Sequence, residues 1–372
     1  MGTGTIVLHG GGIYGHPNAD ALRVDGGRIS AIGCSEALLG GAPEDAARVD
    51  LKGGTVLPGF VDAHVHLMHT GLVECGWRLN LADKTREELL DKVRDAVRSR
   101  GAGDWIVGGG WDESTWGDRR YLVREELDRV APENPVLAIR MDGHLLTANS
   151  AALDRLHLQA PERLLDREDG LAREEVAHEF LAQIVPDRSI AADAARAAAR
   201  LCHRLGVTSV HTMSRSHDIR AMLSGRAERR IRIVVCPEVE AMDALHAVGL
   251  ETGFGDEWLR FGGLKLFVDG SIGASNAAVS DSFLGGGIGD LRYDVASLTK
   301  IIRSAESAGW QTVMHAIGDR AIAAVLDAHA QAPSDARFRH PIEHFELPQE
   351  EHIAKTQTLG VGVCMQPNFI GK

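Results

Sequence analysis

Two histidines stand two residues apart in Phe60-Val61-Asp62-Ala63-His64-Val65-His66. On a β-strand, side chains at i and i+2 point to the same side, so both imidazoles would face one space. A neutral imidazole is a metal ligand and a proton carrier, and two on one face can hold one ion. The pair alone carries little, because seventeen histidines in 372 residues give about 0.8 such pairs by chance. Its setting adds weight: Pro58-Gly59 introduces the apolar strand and the pair closes it, and barrel active sites gather at the C-terminal ends of strands.

Such a pair needs a scaffold, and the surrounding sequence reads as one. Residues 1–57 hold short strand patterns at 5–9, 21–24, 28–32 and 54–57, with Asp25-Gly26-Gly27 as a hairpin turn. From residue 58 the pattern becomes strand and helix in alternation. Thr85-Arg86-Glu87-Glu88 is a capping box, followed by Leu89, Leu90, Val93 and Val97 on one helical face and a stop at Gly101. A helix over 190–205, with Ser189 as N-cap, leads into a strand at 207–212. Strands at 231–236, 263–268, 311–315, 339–344 and 361–365 alternate with helices that include 295–307 and 321–330. The pattern predicts an α/β fold with a (β/α)8 TIM-type barrel over 58–372. About 140 residues separate the first strand from the strand at 207, too many for one crossover, which predicts an insertion at about 70–188. It holds Trp105, Trp111 and Trp116, half of the six tryptophans.

The segment Pro58–Gly59–Phe60–Val61–Asp62–Ala63–His64–Val65–His66 resembles the first-strand signature of the amidohydrolase superfamily. Gly263-Leu264-Lys265-Leu266-Phe267-Val268-Asp269-Gly270-Ser271 is similar to the fourth-strand segment of the branch containing N-substituted formamide deformylase and YtcJ-like proteins. Met314-His315-Ala316-Ile317-Gly318-Asp319-Arg320-Ala321 and Ile342-Glu343-His344 resemble its fifth and sixth strand ends. Gly109-Gly110-Trp111-Asp112, Asp142-Gly143-His144 and Asn149-Ser150-Ala151-Ala152-Leu153 are similar to segments of the same branch. The resemblance implies that residues 1–57 form a small β-sandwich domain.

It also implies a ligand set of His64, His66, Lys265, His315 and His344, holding Zn2+ or, with the same donors, Mn2+ or Fe2+, as one or two ions. The sequence does not choose between a single site at His64 and His66 and one at Lys265, His315 and His344. Lys265, flanked by Leu264, Leu266 and Phe267, would point its amine into the interior, where desolvation lowers its pKa. The resemblance implies that such a lysine takes up CO2 and becomes a bridging carbamate. An unmodified lysine paired with Asp269, or reaching to the rim, is the alternative. His144 and Lys265 are the expected catalytic residues, with His144 as a donor to the developing oxyanion. Trp111, Asp112, His144 and Glu174 are expected to line the substrate pocket, and Arg140 is a further candidate. Asp319 reads as an N-cap, and Glu343, next to His344, should face away from it.

The implied reaction is hydrolysis of a C–N bond in an amide, formamide or cyclic amide, a hydrolase acting on carbon–nitrogen bonds other than peptide bonds. An isomerase or decarboxylase on the same scaffold, or a non-catalytic binding or regulatory subunit, stays open. The resemblance implies an eighth-strand aspartate, and no residue up to Lys372 can be assigned to it, so the barrel reads as lacking its last strand. An open barrel edge leaves room for a homo-oligomer. The partner is expected to be a small amide-type molecule. Lys and Arg number 40 against 52 Asp and Glu, a net charge of −12 spread along the chain, which argues against nucleic acid. No apolar run approaches the ~18 residues of a membrane helix and the start lacks a signal-peptide pattern, so the protein is expected to be cytoplasmic. Five dispersed cysteines without a C-x-x-C pair suggest reduced thiols.

Overall fold

A computed structural model describes residues 4–224, 231–332 and 337–367. The chain divides into a unit of Met1–Phe60 and a unit of Val61–Lys372.

In the first unit the expected hairpin joins antiparallel strands Ala21–Asp25 and Arg28–Gly33. Gly26 and Gly27 have φ of +56° and +80°, the left-handed pair that a two-residue hairpin turn requires and a Cβ would oppose. Thr5–His9 extends this sheet, antiparallel to Ala21–Asp25 and parallel to Ala47–Asp50. A separate parallel ladder joins Gly12–Ile13 to Thr55–Val56.

The second unit carries the expected alternation. Phe60–Val65, Val207–Ser214, Arg232–Pro237 and Leu259–Phe261 are successive neighbours in one sheet, and Leu264–Phe267, Thr312–Ala316, Ile342–His344 and Val363–Cys364 in another. Pairing is parallel from Val207–Ser214 to Leu259–Phe261 and throughout the second sheet. Spatial order follows sequence order, as helical crossovers of one hand produce. Among the described residues these strands form two four-stranded sheets and not a closed barrel. Gly262-Gly263 carries the chain from one sheet to the other. A Cβ on Gly262 would lie 2.7 Å from Val234 Cγ1, and one on Gly263 2.7 Å from Val313 Cγ2, so neither position tolerates a side chain without displacement.

The long excursion between the first two of these strands is built on a six-stranded mixed sheet, running from Leu165–Asp166 at one edge to Leu79–Asn80 at the other. Strand alternation sorts its apolar residues onto two faces. Ile106, Val136, Ala138 and Leu145 pack with Leu89 and Val93 of helix Arg86–Ser99. Val107, Leu137, Ile139 and Leu146 pack with Leu153, Val176 and Phe180 on the other side. The capping box at Thr85 is present, with its hydroxyl accepting from the Glu88 amide. Helix Arg188–Arg204 is capped by Asp187 and not by Ser189, because the aspartate oxygen accepts from both Ser189 and Ile190 amides. No helix among the described residues is long and apolar enough to cross a membrane.

Helix Asp319–Gln331 has Gly318 at its N-cap. Asp319 opens the helix and holds the Ser280 amide and hydroxyl, in place of the capping role its position suggested. The same helix buries His329, whose Nε2 has no partner. Burial, and then nearby His340, lower its pKa from 6.5 to about 4. The unfolded chain therefore binds a proton in that window that the folded chain does not, so this contribution is full above pH 6.5 and is lost as pH falls toward 4. Replacing His329 by Leu should favour the variant over wild type at pH 4.5 relative to pH 7.5, by up to about 3 kcal/mol, in denaturant titrations. An unchanged difference at the two pH values would contradict it.

Candidate functional site

Strand ends bring the expected histidines into one place. His64 lies on Phe60–Val65, His315 on Thr312–Ala316, and His344 ends Ile342–His344. His66 has left the strand and is the N-cap of helix Leu67–Glu74. The rings stand in file: His66 to His64 at 5.7 Å, His64 to His344 at 4.8 Å, and His344 to His315 at 4.6 Å between centroids. Imidazoles sharing a tetrahedral ion at about 2.0–2.1 Å would stand about 5 Å apart by this measure.

Three of these rings have one nitrogen held. His64 Nδ1 is 2.5 Å from Glu343 Oε2, His344 Nδ1 is 2.6 Å from Gln366 Oε1, and His315 Nε2 is 2.9 Å from the Gly270 carbonyl oxygen. Tying one nitrogen fixes the tautomer and aims the other, as outer partners do around metal ions. The other nitrogen of His315, Nδ1, is buried without a partner. Among the described residues no three His, Cys, Asp or Glu side chains form a ready-made metal-holding group. The donor that remains at the centre is an amine.

Lys265 is 2% exposed, and its Nζ has no hydrogen-bond partner. The pairing with Asp269 that its sequence neighbourhood allowed is absent. Asp269 instead accepts from the amides of Ala278, Ile317 and Gly318 at 3.0, 3.1 and 2.8 Å. Desolvation lowers the Lys265 pKa to about 8, despite the opposing charge of Glu343. Desolvation and then His64 push His66 down to about 3, and desolvation and then Lys265 push His344 to about 2. Burial moves His315 the same way. Neutral imidazoles around a readily deprotonated amine have the donor chemistry that a divalent cation takes.

His144 stands beside this file, its ring 5.3 Å from His315. Burial opposes its charge, yet its Nδ1 hydrogen bond to Glu174 at 2.9 Å and that carboxylate's charge outweigh burial and raise its pKa. Burial would raise Glu174, but His144 and Arg292 hold it down. Glu174, with φ of +51°, also takes hydrogen bonds from Asn276 Nδ2 and Arg292 Nη2.

His66, Lys265 and His144 open onto a cavity of about 440 Å³, which is also lined by Arg78, Gly109, Gly110, Arg140, His178, Arg215 and Phe267. Three expected lining residues are elsewhere. Trp111 is fully buried, stacked on Trp116 with its Nε1 donating to the Ala138 carbonyl, because its strand turns that face into the insertion core. Asp112 caps a short turn by accepting from the Ser114 amide. Glu174 sits behind His144 and positions it. Arg140 does line the cavity, but it is buried and spoken for, bidentate to Glu113 at 2.9 Å and bonded to Asp142 at 2.8 Å.

Glu343 does not face away from the site as strand alternation suggested. It is 2% exposed and holds His64. Alternation fails because His344 and Phe345 have φ of +74° and +51°, which breaks the extended backbone just where the strand ends, and both neighbouring side chains reach the interior. Its signal in the sequence, a carboxylate beside a candidate ligand, was there, and only the backbone turn makes it usable.

The sequence profile described as Amidohydrolase family matches residues 47–371. The chain belongs to the Amidohydrolase family. Within it, the chain is 27% identical to putative amidohydrolase YtcJ of Bacillus subtilis, covering 98% of this chain and 73% of that protein. It is 38% identical to N-substituted formamide deformylase of Arthrobacter pascens over 38% of this chain and 26% of that protein. This places it in the YtcJ-like branch of the amidohydrolase superfamily. The solved structure of an uncharacterized metal-dependent hydrolase from Pyrococcus furiosus matches with a TM-score of 0.75 and 29% identity, covering 98% of this chain and 78% of that one. The amidohydrolase fold is thus of the α/β TIM-barrel type. The chain spans 66% and 73% of the length of two curated relatives that match nearly all of it.

In this amidohydrolase the charge on Glu174 is what keeps His144 protonatable. With Glu174→Gln, burial and the Arg292 charge should outweigh the remaining Asp142 charge and the His144 pKa should fall from above to below 6.5, read by NMR titration of its ring. A pKa that stays above 6.5 would show that another group sets it.

Proposed function

We propose that the chain is a metal-dependent hydrolase that cleaves a C–N bond, other than a peptide bond, in an amide, formamide or cyclic amide. The observation that carries this reading is the set of tied imidazoles together with a buried amine that has no hydrogen-bond partner among the described residues and lines a cavity. His64, His66, His315, His344 and Lys265 are the residues that would hold a divalent cation, Zn2+ by donor type. When bound, the cation would polarise the amide carbonyl and lower the pKa of a water molecule.

The chain's own residues account for the rest. Lys265, with a pKa of about 8, has a neutral fraction at physiological pH that can add to CO2. The product is a carbamate and a released proton, and the new anion would balance the cation in a site whose other donors are neutral. Glu343 and Gln366 keep the His64 and His344 rings from rotating. His144 offers Nδ1 to Glu174 and keeps Nε2 for the substrate. A neutral imidazole with its proton on Nδ1 cannot donate from Nε2, so the raised pKa is what lets His144 hold a developing oxyanion. Addition of water across the bond leaves a carboxylic acid on carbon and a proton on the departing nitrogen. The Asp142 carboxylate, bonded to Arg140 and to the Ser271 hydroxyl, fixes the loop that carries His144 by accepting its backbone amide at 3.0 Å.

A panel of N-substituted formamides, acetamides and cyclic amides, scored for released amine and acid, tests the reading. Chelation should abolish turnover, a divalent cation should restore it, and His144→Ala should lower kcat by about a hundredfold. Turnover that survives both chelation and His66→Ala would contradict it.

A further inference from the structure

One charged side chain of the cavity is left without a role by the hydrolytic centre. Arg78 lies between helix Leu67–Glu74 and strand Leu79–Asn80, with its backbone amide bonded to the Leu72 carbonyl and its stem passing Gly109. The residue is 8% exposed, and its Nε is buried with no hydrogen-bond partner among the described residues. Apart from Lys265 of the hydrolytic centre, the other charged side chains of the lining have polar partners. Glu74 pairs with Arg204, Arg140 with Glu113 and Asp142, and Arg215 with Glu238 at 3.2 Å. Asp218 accepts from the Arg215 amide. Its charge favours the Arg78 cation against desolvation. A buried guanidinium offering its donors to a cavity is costly unless an anion meets it there.

A second observation points the same way. Arg78, His69, Leu181, Arg215 and Asp218 also line an adjoining cavity of about 300 Å³. Its wall carries four arginines, Arg78, Arg188, Arg215 and Arg220, against the single carboxylate of Asp218, on a surface that is otherwise mainly apolar, including Leu72, Ile184 and Leu223. His69 is positioned between the two ends: its ring stacks on His66 at 5.4 Å, and burial, with the Arg78 charge, keeps it neutral. Neutral His69 and His178 leave the arginines as the cations of this route.

We propose that Arg78 is a specificity-determining residue that binds a carboxylate at the far end of the substrate, so that the preferred amides carry an apolar arm ending in a carboxylate. The scissile carbonyl then lies by His66, Lys265 and His144, the arm passes His69 and Leu181, and the carboxylate meets the Arg78 fork. This rests on the hydrolase reading for the scissile end only, since the anion site stands on its own geometry.

The test compares N-formyl-6-aminohexanoate with N-formylhexylamine on the intact metal-loaded protein, and titrates hexanoate and hexanamide by calorimetry. Wild type should prefer the carboxylate substrate in kcat/KM by at least about tenfold, a charge-assisted bond's worth. Arg78→Met, of similar volume, should collapse that preference, chiefly through KM, and Arg78→Lys should retain part of it. Hexanoate should bind wild type more tightly than hexanamide and lose that advantage in Arg78→Met. Equal turnover of the two formamides by wild type would overturn the anion site and leave the hydrolase reading standing. Hydrolysis of neither, with hexanoate still bound through Arg78, would overturn the hydrolase reading alone. If Arg78→Met does not fold, the wild-type comparison and Arg78→Lys decide: no carboxylate preference in either rejects the proposal.

Discussion

A buried amine with no hydrogen-bond partner among the described residues is the constraint around which this site is arranged. Lys265 sits on strand Leu264–Phe267 between Leu264 and Leu266, and nothing among the described residues accepts a hydrogen bond from it. Keeping an ammonium there costs several kcal/mol by desolvation, whereas a neutral amine or a carbamate shared with a cation does not carry that penalty. His66, His315 and His344 are held neutral for the same reason, since burial disfavours their protonated forms. Neutral donors of this kind are the ones that a divalent cation takes.

The fold meets this constraint with devices at strand ends. Gly262-Gly263 lets one strand pass between two sheets and deliver Lys265 beside Thr312–Ala316. The left-handed backbone at His344 turns Glu343 and His344 inward together. Asp269, fully buried, ties the loop after Lys265 to the amides that follow His315, so the two donors are held by one carboxylate. The insertion contributes His144 and its Glu174 support from an independent, two-faced sheet. Separately packed layers thus supply the side chains that line one cavity.

Much of this was legible in the sequence where a local rule operates. The Asp25-Gly26-Gly27 turn, the Thr85 capping box and the 295–307 helix follow from turn chemistry, capping and periodicity. The four distant histidines and Lys265 were found by resemblance, and their convergence follows from strand order. What failed, failed where tertiary packing overrides local pattern. Trp111 looks like a pocket wall in sequence, yet its strand in the insertion sheet turns it into a core with Trp116. Glu343 defied alternation because of two residues with positive φ, which no composition announces. Arg78 had no signal, since an arginine before a short edge strand reads as solvent-exposed until the insertion folds over it.

The proposed chemistry depends on these imidazoles converging on a divalent cation. X-ray absorption at the metal edge of the purified, zinc-loaded protein measures that shell directly. Nitrogen and oxygen scatterers are expected at about 2.0–2.1 Å with the outer-shell pattern of at least two imidazoles, diminished in His344→Ala. A sulfur-dominated shell at about 2.3 Å, or an imidazole count unchanged by that substitution, would contradict it.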